Sequence, residues 1–150
     1  MPPEAPPATP AARSRNREDT RAAILRAAQE LLAEEGFSSF GVNALARRSG
    51  FDKQLIYRYF GGLDGLVDAL GDALADWVAT RLEPLISNSP GPGYGDLLDA
   101  VLHAYLDALR ADSLMQKLVA WELSDPSPHV RRLAEQRARA LGELVLRLRG

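Results

Sequence analysis

The chain has 150 residues, which is enough for about one domain, or for one small domain together with a second helical unit. Hydrophobic residues make up 46% and charged residues 25%, a composition that excludes a wholly disordered protein. The absence of cysteine and the presence of only two histidines argue against disulfides, thiolate chemistry and a bound metal. No apolar run approaches the roughly 18 residues that a membrane span needs, and no secretory signal is recognisable, so we expect a cytoplasmic protein with no membrane partner.

The net charge of −2 conceals an uneven distribution along the chain. Residues 1–60 carry nine Lys/Arg against seven Asp/Glu, whereas residues 61–150 carry nine against thirteen. The stretch 36–60 alone carries four basic side chains and one acidic one. A polyanionic partner therefore suits the first part of the chain and is disfavoured by the remainder.

Proline dominates the start of the chain, where five of the ten prolines lie within residues 1–10. Because this segment has too little apolar surface to offset its ordering entropy, we predict a disordered tail over residues 1–16. Arg13, Arg15 and Arg17 lie where the predicted tail meets the first helix. They belong either to a solvated junction or to an arm that lies along DNA phosphates.

Apolar side chains recur with helical spacing from Asp19 onward. The pattern predicts a first helix that Asp19 or Thr20 caps and Gly36 ends, and two short helices over Val42 to about Arg48 and Lys53 to about Phe60. A long helix is predicted to start at Leu63, with Pro84 near its end.

The second half continues with the same periodicity after a loop predicted over Ser87–Gly95. Two further helices are predicted around 97–109 and 114–123, and a last one starts at Pro128 with Ser127 as its N-cap. No alternating strand pattern occurs, so the predicted fold class is all-α. The last helix carries an apolar stripe that we expect to be exposed and to mediate self-association: Leu141, Leu144, Val145 and Leu148.

The segment Val42–Phe60 has the residue types of two helices that cross closely around a short turn. Leu45 and Ile56 can pack across the crossing. Gly50 lies at the turn, where the backbone needs a positive φ, and Asp52 can cap the following helix. The mutual consistency of these positions favours a helix-turn-helix.

The helix from Lys53 divides into two arcs at roughly 100° per residue. Leu55, Ile56, Tyr59 and Phe60 share one arc, and the other carries Lys53, Gln54, Tyr57 and Arg58. The polar arc contains hydrogen-bond donors and no carboxylate. An amide and a guanidinium can bind base edges in the major groove, whereas lysine and a tyrosine hydroxyl suit phosphate.

The run from Thr20 to Leu66 resembles the N-terminal DNA-binding domain of TetR/AcrR-type transcriptional regulators. The resemblance rests on five short matches with their spacing: Ala27-Ala28 followed by Leu31-Leu32, Gly36-Phe37, Leu45-Ala46, Ser49-Gly50-Phe51, and Ile56 to Phe60 with Asp64 and Leu66 after it. It implies a three-helix helix-turn-helix domain over residues 17–62. By position, the DNA contacts of the family would fall on Asn43, Lys53, Gln54, Leu55, Tyr57 and Tyr59.

The resemblance also implies a helical ligand-binding and dimerisation domain over residues 63–150, truncated relative to the family by two helices. It implies a homodimer that represses transcription at a palindromic operator in double-stranded DNA and is released by a small-molecule effector. For that effector, four large side chains are candidate lining residues, although ordinary core packing is the favoured explanation for each of them: Trp77, Tyr105, Met115 and Trp121.

Two other classes of function are alternatives to a transcriptional regulator. A helical interaction module with only non-specific DNA affinity has the same residues but no dimeric recognition. An enzyme is disfavoured because the sequence has no glycine-rich phosphate loop, no nucleophile–base pair and no cofactor motif.

Overall fold

The computed structural model describes residues 9–88 and 93–149, apart from the side chains of residues 85, 86, 148 and 149, and this part of the chain contains seven α-helices and no strand. The all-α prediction is confirmed. The helices are α1 (Pro10–Glu35), α2 (Val42–Ser49), α3 (Lys53–Phe60), α4 (Leu63–Ser87), α5 (Tyr94–Ala111), α6 (Ser113–Ser124) and α7 (Pro128–Arg149).

The start of α1 was predicted wrongly, because the helix begins at Pro10 rather than near Asp19. Thr9 is the N-cap and accepts a hydrogen bond from the backbone of Ala12, and Pro10 occupies the first helical position. Thr20 lies inside the helix, where its hydroxyl donates to the carbonyl of Asn16 at 2.8 Å. Residues 10–16 of the predicted tail are therefore helical, whereas residues 1–8, like residues 89–92 of the predicted loop, lie outside the described part.

The predicted N-caps of α3 and α7 are confirmed, and the structure adds one for α6. Asp52 caps α3, and Ser127 accepts a hydrogen bond from Val130 N at 3.2 Å at the start of α7. Asp112 caps α6 by accepting from Leu114 N at 3.0 Å and from Met115 N at 3.1 Å. Because each cap lies within three residues of the donor that it satisfies, these ends are encoded in the nearby sequence.

A first hydrophobic core joins α1, α2, α3 and the first half of α4, and α6 and α7 close it. Ile24, Leu45, Ile56 and Leu66 are fully buried in it. A fully buried aliphatic side chain contributes about 1.5–3 kcal/mol relative to an exposed one. This core therefore fixes α2 and α3 on α1 and α4.

A second core lies farther along α4 and joins it to α5 and α7. Leu144 is fully buried there, and Leu141 and Val145 pack against it. The prediction that this stripe is exposed was wrong, since the stripe packs inside the protein, although the side chain of Leu148 lies outside the described part. Large apolar side chains are exposed on α5 instead: Leu98, Leu102 and Leu106.

Polar contacts connect the helices around the two cores. Arg137 of α7 donates both guanidinium ends to Glu122 of α6, and both side chains are largely buried. Lys117 of α6 donates to the carbonyl of Ala33, near the end of α1, at 2.7 Å. Among the described helices, none combines the length and the apolar character that a bilayer crossing requires.

Candidate nucleic-acid interface

The turn between α2 and α3 is held by short-range hydrogen bonds. Gly50 adopts the left-handed conformation (φ 74°, ψ 0°), and its backbone N–H donates to the carbonyl of Ala46 at 3.0 Å. The hydroxyl of Ser49 donates to Leu45 O at 2.6 Å and accepts from Phe51 N at 3.2 Å. A residue with a Cβ would be strained at Gly50, so this position sets the angle between the helices.

The orientation of α3 follows from its cap and its buried face. Asp52 Oδ1 accepts from Gln54 N at 2.8 Å, which fixes the first turn. Ile56 is fully buried and Phe60 is 8% exposed. Because these two side chains lie one turn apart on the inner side, the helix cannot rotate about its axis without exposing one of them.

The outer face of α3 carries the predicted polar side chains. Lys53, Gln54, Tyr57 and Arg58 are exposed, with Tyr57 at 46%. The ammonium group of Lys53 lies 5.9 Å from the centroid of the Tyr57 ring, which is within cation–π range. The predicted division of the helix into two arcs is confirmed.

Leu55 and Tyr59 lie at the border between the two faces, since both are half-buried and pack against the first core. The structure therefore places the body of the Tyr59 ring toward the core, as the periodicity predicts. Whether its hydroxyl binds phosphate stays a prediction from the resemblance.

An open groove of about 450 Å³ runs between the start of α2 and the outer face of α3. It brings together three predicted contact residues, Asn43, Lys53 and Tyr57. Gln54 and Arg58 do not line this groove. Its remaining lining contains no acidic side chain: Ser39, Gly41, Val42, Ala44, Arg47 and Leu63.

Arg47 is a candidate contact that the sequence prediction missed. It lies one helical turn after Asn43 on α2, and its side chain is exposed and faces the groove. The spacing of four residues from Asn43 is the signal that could have identified it.

The basic side chains around the groove differ in their partners. Arg48 forms an ion pair with Glu34 of α1 at 2.6 Å, which holds it against the protein. Arg47, Lys53 and Arg58 form no ion pair within residues 9–88 and 93–149. Their positive charges are therefore available to an anionic partner.

The junction of α3 and α4 is tightly packed. Gly61 is left-handed and ends α3, with its N–H donating to Tyr57 O at 2.7 Å. A Cβ built on Gly65 would lie 1.7 Å from the carbonyl oxygen of Phe60, so only glycine fits there. Gly65 is therefore required for the close contact between α3 and α4.

The four candidate effector-lining residues are spread over both cores. Met115 is buried in the first core, and Trp121 packs edge-on against Phe37, with ring centroids 5.7 Å apart. Trp77 contacts both cores and donates its indole N–H to Asp112 at 3.1 Å. Tyr105 packs on the second core, where burial raises the pKa of its hydroxyl.

The first core contains a small cavity of about 10 Å³, lined mainly by leucines of α1, α4, α6 and α7. That volume holds at most one water molecule, and none of the four candidate residues lines it. An effector that binds at this point would have to separate the helices. The assignment of the four residues to an effector site stays a prediction.

Comparison with known proteins supports the resemblance. Residues 24–70 match the family model for bacterial regulatory proteins of the tetR family. The chain is 33% identical over 119 residues to the HTH-type transcriptional repressor Rv3405c of Mycobacterium tuberculosis, and 31% identical over 120 residues to the HTH-type transcriptional regulator BetI 2 of Chromohalobacter salexigens. These matches cover 79% and 75% of this chain, but only 59% and 56% of the two relatives.

Solved structures share the fold. A transcriptional regulator from Pseudomonas aeruginosa PAO1 superimposes with a TM-score of 0.61 at 22% identity, covering 87% of this chain and 65% of that protein. A TetR family transcription regulator from Marinobacter aquaeolei VT8 gives a TM-score of 0.57 at 23% identity, covering 85% and 68%. Against the two curated relatives, the chain spans somewhat less than three fifths of their length. Residues 24–70 match the domain that defines the TetR family of transcriptional regulators, and the chain as a whole is similar to members of that family.

Proposed function

We propose that this chain binds double-stranded DNA as a homodimer and represses transcription in the cytoplasm, with α3 placed in the major groove of each half of a palindromic operator. The observation that carries the proposal is the outer face of α3. That face presents Lys53, Gln54, Tyr57 and Arg58 to solvent while Ile56 and Phe60 hold the helix from behind.

The side chains of α3 differ in the parts of DNA that their chemistry suits, either base edges or phosphates. The amide of Gln54 and the guanidinium of Arg58 can form paired hydrogen bonds with base edges. Lys53 and the hydroxyl of Tyr57 suit phosphate oxygens, which position the protein without selecting sequence. Leu55 can contact a thymine methyl group, and Tyr59 reaches the backbone through its hydroxyl.

The groove beside α3 extends the contact surface to α2. Asn43 and Arg47 line it together with Lys53 and Tyr57. Because the groove is concave, basic and open, it can accept one strand of the sugar-phosphate backbone while α3 enters the major groove. The resemblance to the repressor Rv3405c supports repression rather than activation as the outcome.

A palindromic site requires two copies of the chain related by a two-fold axis. In the helix-turn-helix arrangement, half-sites lie about 34–36 Å apart or at multiples of that distance. The stripe of α7 is not available for pairing, since Leu144 is buried within one copy. The exposed leucines of α5, in contrast, are not covered by the described part of the chain. Sedimentation at micromolar concentration should give a dimer, and a strictly monomeric profile would contradict this part of the proposal.

Release by a small molecule would act through α4. This helix contacts Phe60 of α3 at its first turn and packs against α5 and α7 farther along. An effector that separates α4 from α7 would move the start of α4, and α3 would move with it because Gly65 leaves no gap at the junction. The effector shifts the equilibrium between the released and DNA-bound forms only if it binds the two forms with different affinity.

The test is a selection of bound duplexes from random DNA with the purified chain, followed by gel shifts with competitor DNA. The proposal predicts an enriched site with two-fold symmetry, to which binding survives excess competitor at physiological salt. Affinity that disappears at that salt, with no enriched sequence, would indicate the alternative, a helical interaction module with only non-specific DNA affinity.

A further inference from the structure

The first ten residues of α1 project from the protein without contacting either core. Every residue from Thr9 to Asp19 is exposed, and the first buried side chain of the helix is Ile24. At 1.5 Å per residue, the exposed portion is about 15 Å long. Its helical conformation is encoded locally by the Thr9 cap and by Pro10 at the first helical position.

This projecting portion has no apolar surface for a protein partner or a membrane. Its only apolar side chains after Pro10 are Ala11 and Ala12. A helix that inserts into a bilayer surface needs larger apolar residues on one face, and a helix that docks in a protein groove needs them at helical spacing. What the portion offers is positive charge.

Three arginines form a stripe along α1: Arg13, Arg17 and Arg21. Each lies four residues after the previous one, so the three fall within an arc of about 80° on one side of the helix. Asp19 lies on the opposite side, and Glu18 lies at the edge of the stripe. Arg13 and Arg17 form no ion pair within the described part of the chain, although other exposed arginines, such as Arg132, do.

The inner end of this arginine stripe touches α3. The guanidinium carbon of Arg21 lies 5.1 Å from the centroid of the Phe60 ring, and Phe60 is the last residue of α3. The stripe therefore starts beside the inner side of α3, at its last residue, and runs about 12 Å along α1 to Arg13. Its charge and its proximity to the helix that we place in the major groove both favour the same partner, the DNA backbone.

We propose that the amino-terminal portion of α1 is a second DNA contact, in which Arg13 and Arg17 bind phosphates that flank the bases read by α3. This inference rests on the proposed function of α3. The contact is independent of sequence, because guanidinium–phosphate pairs position a protein on DNA without distinguishing bases. It adds two phosphates for each copy of the chain, which is four for a dimer, and lengthens the duplex that the protein covers.

The test compares the salt dependence of DNA binding in two matched double variants. Arg13→Gln/Arg17→Gln removes two charges from the stripe, and Arg131→Gln/Arg139→Gln removes two exposed charges from α7. Glutamine keeps a helix propensity close to that of arginine, so both variants should retain the circular dichroism of the parent chain. The ligand is the duplex enriched by selection, with a scrambled duplex of equal length as reference.

Each phosphate contact contributes about 0.9 to the slope of log K against log salt. A dimer carries the stripe twice and so has four of these contacts, and the stripe variant should therefore show a slope shallower by about 3.6, while the α7 variant keeps the parent slope. Between 50 and 200 mM salt, the advantage of the parent chain over the stripe variant should shrink by about 150-fold. The loss should be equal on selected and scrambled duplexes.

Three results would overturn the proposal while leaving the function of α3 intact. These are equal slopes for the two double variants, a loss confined to the selected duplex, and a stripe variant that loses only its binding to anionic lipid vesicles. A parent chain that enriches no duplex would instead contradict the proposed function itself.

Discussion

The helices on either side of Gly61 use their polar side chains in opposite ways. In α2 and α3, Arg47, Lys53 and Arg58 are exposed and form no ion pair in the described residues, and the first two line an open groove. In α6 and α7, the most buried ion pair joins the two helices through Arg137 and Glu122. The exposed charges of the first region, α2 and α3, are therefore available to a partner. The buried pair of the second region, α6 and α7, holds its own helices together.

Removing a buried side chain of the first region should lower the free energy of unfolding more than any other variant described below. Ile56→Ala leaves a cavity behind α3 and should lower the free energy of unfolding by about 2–5 kcal/mol. Urea denaturation followed by circular dichroism measures this loss. Gln54→Ala on the exposed face of the same helix is the control and should change it by less than about 0.5 kcal/mol. Equal effects of the two variants would mean that α3 does not depend on its inner face.

A smaller effect is expected from the inward contact of the second region. Glu122→Gln leaves the largely buried guanidinium of Arg137 without its carboxylate and should cost about 1.5–3 kcal/mol of unfolding free energy. Glu143→Gln removes an exposed carboxylate from α7 and serves as the control. If both variants unfold at the same urea concentration, the pair does not hold α6 against α7.

Two glycine variants test how closely the start of α4 and the face of α7 are packed. Gly65→Ala would force a methyl group against the carbonyl of Phe60 and should destabilise the protein by about 1–3 kcal/mol. Gly142→Ala in α7, where no atom beyond the adjoining helix backbone lies within 4 Å of the new Cβ, should stabilise it by up to about 1 kcal/mol. Thermal unfolding separates the two signs. A neutral Gly65→Ala would show that α4 is not in tight contact with α3.

The sequence predicts most strongly what adjacent residues determine. The first residues of α3 and α7 are set by the N-caps Asp52 and Ser127, and the two arcs of α3 follow from helical periodicity. The start of α1 is harder to predict because its first ten residues are exposed on all sides and show no periodic pattern. There the only signals are Thr9 and Pro10.

Contacts between distant segments could not be predicted. No local pattern reveals that Lys117 donates to the carbonyl of Ala33, or that the stripe of α7 packs into the second core. Large side chains at helical spacing look the same in a core and in a ligand site. The four candidate effector residues illustrate this, since Met115 is buried in one core and Tyr105 packs against the other.

Sequence selection by the outer face of α3 can be measured by comparing the binding of Gln54→Ala and Tyr57→Phe to the selected operator and to its single-base-pair variants. Gln54→Ala should lose about 1–3 kcal/mol of discrimination at one position in each half-site and little elsewhere. Tyr57→Phe should weaken binding to all these duplexes alike. Uniform, sequence-independent losses from both variants would contradict the assignment of base recognition to this face of α3.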